Sequence, residues 1–143
     1  MALSIGVPCE TDPDETRVAL VPDVADRLLA TVEGLEIRVE EGAGRGAYHA
    51  DADYEAAGCT VVDRAAALEA DLVTTVAPPP PDDIATLAEG QGVIGFLRPL
   101  EQPETARALA ERGVTALAME LVPRISRAQK LDALSAMSSI GGY

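Results

Sequence analysis

The 143-residue sequence predicts a three-layer α/β/α fold built on a mostly parallel sheet. Short apolar runs alternate with helix-period segments along the whole chain, and most of those runs are continuously apolar. Strands read this way when helices cover both faces of their sheet, since neither face then needs polar side chains. Composition agrees: 48% of residues are hydrophobic, only 3% are aromatic and tryptophan is absent. The core must therefore be built from Ala, Val, Leu and Ile, and the length suits one domain, residues 1–143.

The elements follow in order. Leu3 to Pro8 is a first buried strand, and Glu10 to Thr16 a polar loop. Pro22 opens a helix to about Glu33, with Val24, Leu28, Leu29 and Val32 at helical spacing, and Gly34 ends it. Leu35 to Glu40 is the second strand. A glycine-rich turn leads to a short helix at Asp53 to Ala57, then a strand at Thr60 to Val62 and a helix at Arg64 to Glu69. The strand Asp71 to Val76 closes on four prolines, Pro78 to Pro81, which fit neither a sheet nor a helix interior and make an extended loop. Asp82 to Glu89 is a helix and Gly92 to Leu97 a strand. Pro103 to Arg112 is a helix with proline in its first turn. Val114 to Met119 is the last strand, and Leu131 to Ile140 the last helix. Ligands of such folds bind beyond the carboxyl ends of the strands. Here those ends carry Pro8-Cys9-Glu10, Ala77-Pro78, Arg98-Pro99 and Glu120 to Arg124.

The net charge is −13, and Lys130 is the only lysine among eleven basic residues. Such a surface repels nucleic acid and anionic lipid, which excludes both as partners. It is also the surface of a protein working in molar salt, where self-repulsion is screened. No apolar run approaches the ~20 residues that span a bilayer, and no charged-then-apolar leader opens the chain, so it is expected to be soluble and cytoplasmic. Cys9 and Cys59 form no metal or redox motif and read as buried small hydrophobes.

Gly42-x-Gly44-x-Gly46 has the wrong spacing for a dinucleotide fingerprint and reads as a flexible turn. His49, the only histidine, lies in a polar loop and is assigned no role. Ser126 and Ser135 have no base histidine, so no nucleophilic catalysis is expected, and no metal site either. Arg17 follows an acidic loop and should reach back toward the end of the first strand. An ion pair with Glu10 or Glu15 is the simpler role. The densest polar cluster lies at the mouth of the last helix, where Arg124, Ser126, Arg127, Gln129, Asp132 and Ser135 fall close together. Guanidinium, amide and carboxylate together fix a planar, hydrogen-bonding ligand. An ordinary solvated helix start is the alternative.

Pro123-Arg-Ile-Ser-Arg-Ala-Gln-x-Leu-Asp-Ala-Leu-Ser135 resembles the nucleotide-contacting loop in the NAD(H)-binding alpha subunit of proton-translocating NAD(P) transhydrogenases. Ile5-Gly-Val-Pro-x-Glu-Thr11 and Arg17-Val-Ala-Leu-x-Pro22 resemble the opening that these enzymes share with alanine dehydrogenases. Glu41-Gly-Ala-Gly-x-Gly-Ala47, Ala56-Ala-Gly58 and Ile94-Gly-Phe-Leu97 extend the likeness over essentially the whole chain.

The resemblance implies a flavodoxin-like domain, the catalytic-domain-like half of a two-domain dehydrogenase. It implies that Arg124, Gln129, Asp132 and Ser135 embrace the nicotinamide ring of NAD(H), with NADP(H) on a separate subunit. Direct hydride transfer asks for positioning rather than for acid-base groups, so no catalytic residue is expected. Adenosine and pyrophosphate would sit on a Rossmann domain outside this sequence, either a separate polypeptide or a part removed by truncation. The isolated chain is then expected to be inactive. Membrane and NADP(H)-binding components are the implied partners, with a homo-oligomer as the assembly and a location peripheral to the membrane.

In alanine dehydrogenases the arginine matching Arg17 holds the substrate carboxylate, and a lysine and a histidine would fall at Ala77 and Arg98. Both are missing here, which removes the acid-base chemistry of that reaction. A non-catalytic binding or regulatory module of the same fold is the remaining alternative.

Overall fold

The computed structural model describes residues 2–141. Its six strands are β1 (Leu3–Val7), β2 (Leu35–Glu40), β3 (Thr60–Val62), β4 (Leu72–Thr74), β5 (Gly92–Gly95) and β6 (Thr115–Ala118). The helices are α1 (Pro22–Thr31), α2 (Asp51–Ala56), α3 (Arg64–Leu68), α4 (Pro81–Thr86), α5 (Pro103–Glu111) and α6 (Ala133–Gly141). All strand pairs are parallel, in the order β3-β2-β1-β4-β5-β6. The chain winds outward from β1 to β3, returns to lay β4 beside β1, and winds outward again to β6. Without the short edge strand β3, the order β2-β1-β4-β5-β6 is that of a flavodoxin-like sheet, as the sequence leads one to expect.

Two apolar clusters hold the layers together. Ile5, Val7, Ile37 and Val39 pack with Ala25, Tyr54 and Cys59 around β1 and β2. Val73, Val93, Ile84, Leu87, Leu109 and Val114 pack around β4 and β5. Apart from Cys59, the core is aliphatic with one aromatic exception. Tyr54 is fully buried, and its hydroxyl donates to the Leu20 carbonyl at 2.9 Å, which satisfies the one polar atom it carries inward.

The elements match the sequence reading in kind and shift at their ends for identifiable reasons. Helix α2 starts two residues early because the Asp53 carboxylate accepts the Ala50 N–H at 2.7 Å, closing the first turn. Helix α1 stops at Thr31, before Gly34 takes a left-handed φ of 74°. Helix α6 starts late because Ser126–Leu131 winds first as a 3₁₀ helix.

Two expectations are corrected. The glycine turn is not simply flexible: of its three glycines only Gly42 has a positive φ, 83°. A Cβ at Gly44 would lie 2.6 Å from the Tyr54 ring, and one at Gly46 would lie 2.9 Å from the Thr16 carbonyl oxygen. Those two positions are glycine because the chain is packed there. Cys59 is buried as expected, but Cys9 is only half-buried. Among the described residues no helix is long and apolar enough to cross a membrane.

Candidate functional site

The winding reverses between β1 and β4, and a doubly wound sheet ordinarily opens a ligand crevice there. In this chain side chains fill it. The Glu10 carboxylate, just past β1, accepts the N–H groups of Val76 (2.6 Å) and Ala77 (3.0 Å) at the end of β4. Arg64, the first residue of α3, reaches across the same gap. Its Nη1 donates to the Cys9 carbonyl at 3.0 Å and to Glu40 at 2.8 Å, and Nε and Nη2 form a fork onto the Asp83 carboxylate. Glu40 in turn accepts the Cys9 N–H at 2.7 Å. The void left among these groups and the tetraproline is about 10 Å³, at most enough for a single water. Burial raises the Glu10 carboxyl above its ordinary range, and its two amide donors oppose that shift. Burial, with the charge of Glu40, pushes the Cys9 thiol up to about 11, so it is no nucleophile.

Space opens instead beyond β4, β5 and β6. There α6 lies across the carboxyl ends and leaves two adjoining cavities of about 330 Å³ and 470 Å³, within the usual range of small-molecule sites. Arg17, Val76, Phe96 and Met137 form walls common to both. Arg17 is forked onto Glu15, Nε to Oε1 at 2.7 Å and Nη2 to Oε2 at 2.6 Å. Glu15 is thus the partner the sequence left open, and those hydrogen bonds hold its carboxyl below the ordinary range.

Ala77 and Arg98 line the smaller cavity together with Arg17, so the fold assembles all three of the positions that the alanine dehydrogenase comparison singles out. Arg98 is held at a left-handed φ of 49°, its N–H donated to Glu120 and its carbonyl accepting the Gln102 N–H at 2.8 Å. Sequence reasoning gave Glu120 and Thr75 no role. Glu120 Oε2 and Thr75 Oγ1 are the buried side-chain polar atoms without a partner among the described residues, and one belongs to the wall of each cavity. A buried polar atom left alone costs roughly 1–3 kcal/mol, a cost protein cores normally avoid.

The polar segment lies outside these cavities. From α6 they receive Ala133, Leu134 and Met137, and none of Arg124, Gln129, Asp132 or Ser135 lines them. Asp132 caps α6, accepting the Ser135 N–H at 3.0 Å and the Ser135 hydroxyl at 2.5 Å. Those bonds lower the Asp132 carboxyl, and the positive charge of Arg124 adds to the effect. Arg124, Asp132 and Ser135 therefore interact, while Gln129 stands exposed on the 3₁₀ helix. The four form an open polar surface rather than an enclosed pocket. No group of three or more side chains suited to a metal occurs among the described residues.

A family model described as "Alanine dehydrogenase/PNT, N-terminal domain" matches residues 6–141. The NAD(P) transhydrogenase subunit alpha of Cereibacter sphaeroides is 43% identical over 143 residues, covering 99% of this chain and 27% of that protein. The crystal structure of transhydrogenase from Sinorhizobium meliloti superposes with a TM-score of 0.93 at 37% identity, covering 98% of this chain and 42% of that one. A solved L-alanine dehydrogenase gives a TM-score of 0.81 at 32% identity, over 87% of this chain and 34% of that one. The chain spans less than half the length of each of these relatives.

Proposed function

The chain belongs to the alanine dehydrogenase/PNT N-terminal domain family, and from that premise we propose that it acts as the N-terminal domain of an NAD(P) transhydrogenase alpha subunit. It takes part in hydride transfer between NAD(H) and NADP(H), coupled in the assembled enzyme to proton translocation. Arg124, Gln129, Asp132 and Ser135 orient the nicotinamide ring of NAD(H). NADP(H) is carried by a separate subunit, and a Rossmann domain supplies the site for adenosine and pyrophosphate. The assembly is oligomeric and cytoplasmic, peripheral to the membrane through its partner subunits.

The observation that supports this over the alanine dehydrogenase reading is a contrast inside one region. The cavity beside Arg17 carries Ala77 and Arg98, with no lysine or histidine to polarise a carbonyl or move a proton. Nearby, the surface segment carries a guanidinium, a carboxylate and a hydroxyl that interact, with the exposed amide of Gln129 on the neighbouring 3₁₀ helix. That surface suits orientation of a planar amide-bearing ring, which is what direct hydride transfer requires. Such a nicotinamide cofactor supplies the hydride chemistry when bound. The chain's own residues hold the carboxamide and keep the ring face presented. Because the polar surface is open on one side, a second domain or subunit must close it to exclude water.

The test joins this chain to the remainder of a transhydrogenase alpha subunit and follows hydride transfer to an NADP⁺ analogue. Arg124→Ala and Asp132→Asn are expected to slow transfer about tenfold or more with the fold intact, a loss of ~1.4 kcal/mol of positioning. Asparagine still caps α6, so the second variant separates orientation from helix stability. Unchanged rates in both variants would reject the reading. The acidic surface, read as an adaptation to high salt, predicts a melting midpoint that rises between roughly 0.1 M and 2 M KCl.

A further inference from the structure

The void of about 10 Å³ between the end of β1, the start of α3 and the tetraproline has room for one water-sized particle. Its wall is short of hydrogen-bond donors. Pro8, Pro78, Pro79 and Pro80 border it and carry carbonyls but no N–H. Arg64 directs its guanidinium to Cys9, Glu40 and Asp83, the Ala77 N–H goes to Glu10, and the Cys9 N–H goes to Glu40. Negative charge is in excess as well. Glu10 and Asp83 border the void against the one guanidinium of Arg64, and Glu40 brings a further carboxylate to that same guanidinium.

An independent observation points to an occupant. Thr75 borders the same void and is only 9% exposed, and its hydroxyl oxygen has no partner among the described residues. Its N–H bonds the Ile94 carbonyl at 2.9 Å, which carries the extended chain on past β4. Two positions beyond Val73, its side chain falls on the same face of the sheet, where Val73 clusters with Leu68 of α3 and Ile84 of α4. Arg64 and Asp83 belong to those two helices, so the hydroxyl is turned toward them.

We propose that this void is a site for one potassium ion stripped of its water. K⁺ is close to a water molecule in size, brings no protons that need acceptors, and exchanges its hydration shell for protein oxygens. The Thr75 hydroxyl, the Glu10 and Asp83 carboxylates and the proline carbonyls offer such oxygens. Among the described residues no three Asp, Glu, Cys or His side chains converge as a divalent metal requires, which leaves a singly charged ion as the match. The ion joins the ends of β1 and β4 to the first turns of α3 and α4. Ala77 borders both this void and the smaller cavity, so the ion also steadies a wall of that cavity.

The test is thermal melting of the chain in KCl and in tetramethylammonium chloride at the same ionic strength, about 0.5 M, where screening of the acidic surface is equal. Tetramethylammonium is too large for the void. Wild type is expected to melt about 3 °C or more higher in KCl, the gain from a ligand that only the folded state binds. The gap should vanish in Thr75→Val and narrow in Glu10→Gln, whereas Asp23→Asn, which removes an exposed acid on α1, should keep it. In tetramethylammonium chloride Thr75→Val should be at least as stable as wild type, because the hydroxyl has no partner there. Circular dichroism of each variant confirms an unchanged fold. Equal wild-type midpoints in the two salts would mean that the void holds water alone, and would overturn the proposal. So would a gap that survives in Thr75→Val or disappears in Asp23→Asn, since the cation would then act at the surface.

Discussion

The two ends of the same sheet edge treat polar side chains in opposite ways. Past β1 and β2, Glu10, Glu40, Arg64 and Asp83 satisfy one another and nearby backbone groups, and almost no void remains between Arg64, Asp83 and the tetraproline. At the carboxyl ends of β4 to β6, two cavities persist, Thr75 and Glu120 leave an oxygen unmatched, and apolar side chains from Leu100 to Met137 stay exposed. The first region spends its polar groups on holding the fold. The second leaves them available, which is how a site differs from a scaffold on a common framework. The contrast also explains why this chain leaves almost no void at its winding reversal. Arg64 occupies that place.

The largest expected effect breaks the closed region. Arg64→Ala strands the buried Asp83 carboxylate and removes the donor between Glu40 and Cys9, at a cost of about 3 kcal/mol. Chemical denaturation would measure it as a drop in midpoint at constant slope. Arg64→Met/Asp83→Leu should recover most of the loss, because a buried ion pair replaced by apolar groups is often neutral. If the double variant is as unstable as the single one, Arg64 is a packing element and the electrostatic account fails.

Next comes Tyr54→Phe, which leaves the Leu20 carbonyl without its hydroxyl donor in the packed core and should cost about 1–2 kcal/mol. Thr75→Val makes the opposite change in the open region. It deletes a buried hydroxyl that has no partner, at nearly constant shape, so stability should hold or rise by up to about 1 kcal/mol. A loss comparable to that of Tyr54→Phe would mean that the Thr75 hydroxyl is satisfied in solution and that the open region is less open than its geometry indicates.

How far each region was legible in the sequence follows from the same contrast. The strands and their order of appearance were readable because apolar runs and prolines act locally. The sheet order followed from the resemblance, which also singled out Arg17, with Ala77 and Arg98 as positions lacking the dehydrogenase lysine and histidine, before the fold brought the three together. Arg64 was invisible as a functional element: an arginine opening a five-residue helix has no pattern, and its three partners come from β2, α4 and the loop after β1. Glu120 and Thr75 stand out only through what they fail to contact, which no spacing rule encodes. The glycines at 44 and 46 looked like flexibility because a sequence shows the missing Cβ and not the Tyr54 ring or Thr16 backbone that excludes it. The polar segment was legible as a cluster, yet its outward placement was not, because α6 turns Ala133 and Met137 toward the cavities instead.

The smallest effect sharpens the boundary between the regions, where the Glu15–Arg17 pair borders both cavities. Arg17 is 44% exposed, so solvent screens the pair and its worth is about 0.2–1 kcal/mol. Its pH dependence has a definite sign. The hydrogen bonds from Arg17 lower the folded-state Glu15 carboxyl from its ordinary 4.5. A depressed acid contributes stability that is present above its unfolded value and lost as pH falls through the folded one. Wild type should therefore exceed Glu15→Gln in stability near neutrality, and the two should converge in acid once pH has fallen from 4.5 through the lowered folded-state value. Parallel denaturant curves at several pH values read this difference directly. A gap that persists undiminished into acid would show that Glu15 supports the loop through its neutral hydrogen bonds, leaving the Arg17 guanidinium freer to meet a ligand than its forked geometry implies.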